Sequence, residues 1–188
     1  GHEGKPIEVE IYSRSPRVRL YLNDSIVAER ATTRAEEYKA VITVPYTPGT
    51  LRAEAIDEQG NPIPSMNTGH NTLRTAGTPY AIRLVADRTA IQANNQDLSF
   101  ITVEVVDRNG VVCPNAADEL TATLSGRGVL AAFGNADIKE LGCTVDNGHN
   151  VWKGRALAVV RSTYRRGNAV LTITGKGLKP AKVVIKTK

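Results

Sequence analysis

The sequence predicts an all-β chain, folded as two consecutive immunoglobulin-like β-sandwich domains. Short runs of residues alternate between apolar and polar side chains, which is the period of a strand with one buried face. Clusters of turn residues separate these runs at the spacing that is typical of sandwiches. No segment keeps a helical period of apolar residues for more than about two turns. A chain of 188 residues is long for one sandwich and suits two small domains.

The first domain is predicted to span residues 1–77. Ile7–Ile11 alternates apolar and charged residues, and residues 17–30 are predicted to form a hairpin. Asn23 and Asp24 supply its turn, because both residue types tolerate positive φ. Gly and Pro residues at Ala76–Pro79 then mark a linker. The later strand runs are Tyr38–Val44, Leu51–Ala55 and Thr72–Thr75. The residues expected in the core are Ile11, Leu20, Ile42 and Ala53.

The second domain is predicted to span residues 78–188. Residues 82–86 alternate, and Leu98–Val106 is apolar on both sides for part of its length, which is typical of a central strand. Asn109-Gly110 supplies turn chemistry after it. Gly134–Lys153 is long for a sandwich loop and predicts an ordered excursion. The later strand runs are Leu120–Ser125, Val129–Phe133, Arg155–Thr163, Ala169–Thr174 and Lys182–Lys186. The residues expected in the core are Leu84, Val103, Leu124, Val160 and Ile173.

The charge is uneven, since the net charge of +5 lies in the second half, where basic residues become frequent from Lys153 onward. Nucleic acid or an acidic polysaccharide is one interpretation of this bias. The interpretation we favour is that Lys and Arg on strand surfaces prevent edge-to-edge aggregation, because no aromatic residues of the kind that stack on bases accompany the charge. We therefore expect no nucleic-acid partner.

The sequence contains no run of eighteen apolar residues, so no membrane span is predicted. The N-terminal residues lack a secretory signal and an initiator Met, so we expect a fragment or a processed chain.

The sequence offers no candidate catalytic residue. Acid–base catalysis by two carboxylates requires that they face each other. Glu36-Glu37 and Asp118-Glu119 are adjacent in sequence, and adjacent strand residues point to opposite faces. No serine lies in a Gly-x-Ser-x-Gly or Ser-x-x-Lys motif.

No cofactor or metal site is predicted either. His2, His70 and His149 are isolated from one another without ligand spacing, and we expect them to be exposed loop residues. Cys113 and Cys143 could form at most one disulfide. A free, half-buried pair is the state we favour.

The candidate binding residues surround Trp152, the only tryptophan. Trp152 follows the polar loop Asp146–Asn150, and sandwiches that bind sugars present aromatic rings to pyranoses beside polar groups. Asn150 and Arg155 are then the expected polar partners. The alternative, which we favour, is that Trp152 packs over the edge of the sandwich as a core cap.

Two groups of motifs resemble the C-terminal part of bacterial glycoside hydrolase family 2 enzymes related to β-galactosidase. In the first half these are Gly1–Val9, Tyr12-Ser13 and Val18–Asn23, which are similar to the sandwich that follows the family's catalytic barrel. In the second half they are Ala86–Arg88, Gln96–Asp107, Asn109-Gly110, Pro114–Ala116, Phe133–Asn135 and Gly154–Ser162.

The resemblance implies a non-catalytic accessory role. The family's catalytic glutamates lie on the barrel, so none is expected here, and the expected partner is that barrel within the parent glycosidase. It also implies an exported parent, periplasmic or secreted. Two other functions stay open: a carbohydrate-binding module that tethers the enzyme to polysaccharide, and a stalk of repeats from an adhesin, although the two halves are not similar enough to suggest an array.

Overall fold

The computed structural model describes residues 2–67, 69, 71–140 and 142–188. Over these residues the chain is all-β and contains no α-helix, so the predicted fold class is confirmed. The chain divides into two compact units, Gly1–Thr75 and Ala76–Lys188. The predicted boundary at residue 77 lies two residues beyond this division. No helix over the described residues is long and apolar enough to cross a membrane.

Unit 1 contains two sheets that share one core. One sheet pairs the first and fourth strands, and the other has the order third, second, fifth, sixth, with all pairs antiparallel. Leu20 from the larger sheet packs with Ile42 and Val44 from the smaller one, so the unit is a small sandwich. The strands are β1 (Pro6–Tyr12), β2 (Arg17–Leu22), β3 (Ser25–Ala31), β4 (Lys39–Pro45), β5 (Thr50–Ile56) and β6 (Thr72–Arg74). Single turns of 3-10 helix lie at Arg34–Glu36 and Pro64–Met66.

Unit 2 is a larger sandwich. Its strands are β7 (Ala81–Ala86), β8 (Ala90–Ile91), β9 (Leu98–Val106), β10 (Glu119–Gly126), β11 (Gly128–Gly134), β12 (Gly148–Asn150), β13 (Arg155–Ser162), β14 (Gly167–Gly175) and β15 (Ala181–Thr187). One sheet has the order β11-β13-β9-β7 and the other β12-β10-β14-β15-β8. Ile101 and Phe133 from the first sheet pack with Leu120, Leu171 and Ile185 from the second. The long strand β9 lies inside its sheet, as its apolar character predicts.

The predicted core is largely confirmed. Five of the nine expected residues are buried: Leu20, Ile42, Val103, Val160 and Ile173. The other four are only half-buried, although they pack against the cores: Ile11, Ala53, Leu84 and Leu124. In unit 1, Ala53 lies on the four-stranded sheet, which two strands do not cover completely, and Ile11 lies on the two-stranded sheet itself.

His149, in the excursion between β11 and β13, is not exposed as the sequence predicts. His149 lies on β12 and is only 5% exposed, not an exposed loop residue. Its Nε2 lies 2.9 Å from the carbonyl oxygen of Cys143, and its ring packs edge-on against Phe133. Because these contacts come from distant or irregular segments, local composition does not reveal them. His2 is exposed, and His70 lies outside the described residues.

Both cysteines are free, as expected, but they are not equally buried. Cys113 is buried and Cys143 is exposed. Burial raises the pKa of the Cys113 thiol, and the nearby carboxylates of Asp107 and Asp118 act in the same direction. Cys113 is therefore a small core residue that favours the neutral thiol.

An aspartate turn recurs in both units. In unit 1, Asp57 directly follows β5, and its carboxylate accepts the Asn61 N–H at 2.7 Å. In unit 2, Asp107 directly follows β9, and its Oδ1 accepts the N–H groups of Asn109 at 2.8 Å and Val111 at 2.9 Å. Each turn returns the chain to the strand that it left, through the bridges Ile56↔Pro62 and Val106↔Val112. The Asn109-Gly110 turn predicted from the sequence is the second of these.

We predict that Val103→Asp unfolds unit 2. Val103 is fully buried in β9, and an unpaired carboxylate there would cost several kcal/mol, on the order of a domain's stability. Trp152 lies in unit 2, so its fluorescence during urea denaturation reports this unit. Val85→Asp makes the same change at a half-exposed position on the neighbouring strand and should leave unit 2 folded. A folded Val103→Asp with the wild-type midpoint would contradict the prediction.

We predict that Asp107 contributes stability that is lost in acid. The backbone N–H groups of Gly77 and Val111, followed by those of Asn109 and Gly110, hold the pKa of its carboxyl below the ordinary value. A lowered folded-state pKa contributes stability above the unfolded pKa of about 4, and this contribution disappears as pH falls through the folded pKa.

Asp107→Asn should therefore lower the stability of unit 2 at pH 7 and flatten its decline between about pH 5 and pH 2. Denaturation followed by Trp152 fluorescence across this range measures both effects. Asp137→Asn, a change of the same type in the excursion, is the control. An Asp107→Asn profile parallel to that of the wild type would show that this carboxylate does not act through its charge.

Candidate functional site

Trp152 lies at the start of a tight hairpin turn that leads into β13. The N–H of Trp152 donates to the carbonyl of Arg155 at 2.9 Å, and the reverse bond measures 3.0 Å. The two central residues have positive φ, 51° at Lys153 and 74° at Gly154, which is the type I′ geometry of two-residue hairpins. Gly154 is required here, because a Cβ would lie 2.2 Å from the carbonyl oxygen of Cys113. The turn is therefore rigid and places Trp152 opposite Arg155.

The indole of Trp152 is 39% exposed, so it is neither a fully buried cap nor a free ring. The ammonium of Lys153 lies 4.6 Å from the ring centroid, a cation–π contact. A ligand that stacks on this face would have to displace the lysine. The turn thus offers part of one aromatic face to the solvent.

Arg155 belongs to a row of charges across three strands. β13 pairs Arg155 with Glu104 of β9, and β9 pairs Glu104 with Arg83 of β7. The Nε of Arg155 donates to one carboxylate oxygen of Glu104 at 3.1 Å, and Arg83 donates to the other at 2.8 Å. Glu104 is buried between the two guanidinium groups. The row therefore fixes the position of Arg155 beside Trp152.

Asn150 is the third predicted site residue. It lies two residues before Trp152, and both side chains are exposed while Val151 between them is buried. Its carbonyl oxygen accepts the Nδ2 of Asn135 at 2.7 Å, which ties β12 to the excursion. The structure therefore places the three predicted residues on one short segment, with Trp152 and Arg155 directly paired.

The sequence contains two pairs of adjacent acidic residues, Glu36-Glu37 and Asp118-Glu119, and neither pair is expected to be catalytic. The Glu36 carboxylate caps the 3-10 turn by accepting the N–H of Thr33 at 3.0 Å. Asp118 and Glu119 line an open groove of about 590 Å³ with Thr121, Thr174 and Lys176. Among the residues that the structure describes, no three His, Cys, Asp or Glu side chains are grouped so that they could hold a metal ion.

A second surface was missed by the sequence analysis. Tyr164 is 78% exposed and lines a groove with Arg127, Thr163 and Arg165. The sequence itself indicates this surface, because Tyr164 lies among Arg161, Arg165 and Arg166. The statement that no aromatic residue accompanies the basic residues was therefore wrong at this position.

A third surface is the outer face of the sheet β11-β13-β9-β7. Val85 of β7 and Leu157 of β13 both pair with Thr102 of β9, so the three side chains form a row across the sheet. Phe100 and its partner Val159 form the next row. Val85, Phe100 and Leu157 are 50%, 40% and 43% exposed. We call these five residues the apolar face.

The fold defines the class of the chain as two consecutive β-sandwich domains. Residues 82–184 match the family described as glycoside hydrolase family 2 C-terminal domain 5, and residues 4–64 match a domain of unknown function (DUF4982). The first match covers more than half of the chain, and the chain therefore belongs to glycoside hydrolase family 2. The resemblance predicted from the sequence is confirmed.

The relatives are much longer proteins. The chain is 29% identical to the β-galactosidase BoGH2A of Bacteroides ovatus, over 90% of this chain and 19% of that protein. It is 25% identical to a β-glucuronidase of Formosa agariphila, over 94% of this chain and 17% of that one. A family 2 member from Bacteroides cellulosilyticus has a similar structure, with a TM-score of 0.91 and 34% identity over the whole chain and 24% of its own. The chain thus spans about a sixth to a quarter of the length of these relatives.

Proposed function

We propose that the chain is a non-catalytic accessory part of a β-galactosidase-like family 2 glycoside hydrolase, and that it packs against the catalytic barrel of its parent. The family membership supports a glycosidase parent, and the relatives that carry such names are several times longer than this chain. We further propose that the parent is exported to the periplasm or the medium.

The apolar face is the observation that carries this proposal. Alternate residues of β9 and β13 point into the core, so a sandwich in isolation needs polar residues at the positions between them. Here Phe100, Leu157 and Val85 occupy those positions in adjacent rows. Contiguous exposed apolar residues mark surfaces that are covered by a partner. The rest of the parent glycosidase is the occupant that we propose.

The strand order supports an immunoglobulin-like assignment for unit 2. In constant-type immunoglobulin domains one sheet has the strand order ABED and the other contains C, F and G. If β7, β9, β10, β11, β13, β14 and β15 are labelled A to G, the sheets β7-β9-β13-β11 and β10-β14-β15 have this order. In this assignment β8 and β12 are additions at the edges of the second sheet.

The docking proposal predicts the effect of a charge on the apolar face. In the full-length enzyme, Leu157→Asp should accelerate thermal inactivation, because a carboxylate at a dry interface loses its hydration. The initial rate at 25 °C should not change. Val184→Asp, at a half-exposed position in the other sheet, is the matched control.

The non-catalytic role makes a second prediction: the isolated chain should show no turnover of nitrophenyl galactosides, glucuronides or mannosides.

Two further results would be decisive. Leu157→Asp must leave the urea midpoint of the isolated chain unchanged, so that the effect is assigned to the interface and not to unit 2 itself. Equal inactivation rates for Leu157→Asp and the wild type would exclude docking through this face. Turnover by the isolated chain that survives repurification would exclude the non-catalytic role.

A second candidate function is binding of a neutral sugar at Trp152, which would make the chain a carbohydrate-binding module. The partly exposed indole and the fixed guanidinium of Arg155 favour it. Stacking of a sugar on one ring is worth about 1–3 kcal/mol by analogy with stacking of bases, which allows only millimolar affinity.

Galactose and lactose should therefore change Trp152 fluorescence and the NMR shifts of the residue 150–155 amides only in the millimolar range. Arg155→Gln should weaken the response, whereas Arg161→Gln, the same change at the other end of β13, should not. The absence of any response at tens of millimolar sugar would leave only the accessory role.

A further inference from the structure

The groove around Tyr164 lies between two turns at one end of unit 2. Arg127 forms the turn between β10 and β11, and residues 163–166 connect β13 to β14. The N–H of Arg127 donates to the carbonyl of Asn168 at 2.8 Å, which joins the first turn to the start of β14. The groove has a volume of about 350 Å³, at the lower end of the range for small-molecule sites.

The backbone of this groove is fixed before any ligand arrives. The hydroxyl of Thr163 accepts the N–H of Arg165 at 3.2 Å. The buried hydroxyl of Thr187 lies 3.0 Å from the carbonyl oxygen of Arg165 and 3.1 Å from that of Gly167. Gly167 has a φ of 145°, and a Cβ there would lie 2.8 Å from Cγ of Arg127. A glycine is therefore needed where the arginine stem crosses the turn.

The positive charge of this groove is uncompensated. Arg83, Arg88 and Arg155 of unit 2 are each paired with a carboxylate. Over the described parts of the chain, Arg127, Arg165 and Arg166 make no such ion pair. They lie in turns and not on strand faces, so protection of a strand edge does not account for them. Arg127 and Arg165 line the same groove, and two guanidinium groups without a paired carboxylate suit an anionic ligand.

We propose that this groove binds an acidic sugar residue of a polysaccharide. The exposed ring of Tyr164 would stack on the pyranose, and Arg127 and Arg165 would bind its carboxylate or sulfate group. This shared chemistry, a sugar ring that carries an anion, explains why an exposed aromatic ring and unpaired guanidinium groups line the same groove. The inference is independent of docking through the apolar face and of binding at Trp152.

The groove fits a sugar better than a nucleic acid. Proteins that bind single strands combine a long basic channel with several aromatic residues that stack on successive bases. This groove is short and has one aromatic ring among its lining residues. A single stacking platform with two guanidinium groups suits one charged monosaccharide unit.

NMR titration of the ¹⁵N-labelled chain tests the proposal with four probes: trigalacturonic acid, a sulfated galactose disaccharide, galactotriose and a thymidine trinucleotide. We expect an acidic sugar to shift the amides of residues 126–128 and 163–168 at millimolar concentration, more weakly at high salt. The first two probes distinguish a carboxylate from a sulfate ester. No shift of these amides by either at about 20 mM would overturn the proposal, since one stacked ring with its ion pair predicts binding below this concentration.

Variants of Tyr164 and Arg165 test the contributions of the ring and of the charge to binding separately. Tyr164→Ala should weaken binding about fivefold or more, whereas Tyr164→Phe should retain it because the ring remains. Arg165→Gln should weaken the acidic probes, while Lys176→Gln, which removes one charge at the opposite end of β14, should not. Galactotriose binding as tightly as the acidic probes would overturn the role of the arginines. A trinucleotide that binds the same amides as tightly would overturn the assignment to sugar.

Discussion

The architecture depends on an aspartate carboxylate that directly follows a central strand in each unit. Asp57 and Asp107 accept backbone N–H groups of the turn that follows, so the chain reverses and bridges back to the strand that it left. Asp107 also accepts the N–H of Gly77, which places the first residues of unit 2 beside the end of β9. Because β9 pairs with both β7 and β13, this one carboxylate fixes the strand that carries the core, the Glu104 row and the apolar face.

The three proposed surfaces are arranged along the strand β13. The Trp152 turn lies at its start, the apolar face along its outer side, and the Tyr164 groove at its end. Eight residues of strand span roughly 26 Å, so the two aromatic sites are separate and no single small ligand can touch both. A partner that covers the outer side of the sheet would leave the end turns accessible. Docking to an enzyme and binding of a glycan are therefore compatible functions of one sandwich.

The sequence predicts what depends on neighbouring residues. Alternation determines the strands and most of the core, and the Asn109-Gly110 pair indicates its turn without further information. Long-range contacts are invisible to such patterns: Glu104 holds Arg155 from 51 residues away, and the burial of His149 depends on Phe133 and Cys143. The half-burial of Ile11 follows from the two-stranded sheet, whose size the sequence does not reveal. Tyr164 is different, since its place among Arg161, Arg165 and Arg166 is visible in the sequence itself.

The arginines at the two ends of β13 have different surroundings. In the Glu104 row, two guanidinium groups share one buried carboxylate, and this arrangement stabilises the sheet without attracting an anion. At the Tyr164 end, Arg127 and Arg165 line the groove, and over the described residues neither is paired with a carboxylate. Guanidinium groups without a paired carboxylate, beside an exposed ring in a groove, suit a ligand that carries both a ring and an anion. The guanidinium of Arg155 at the start of β13 is paired with Glu104, whereas those of Arg127 and Arg165 at its other end are unpaired, and this contrast favours an anionic ligand at the Tyr164 groove.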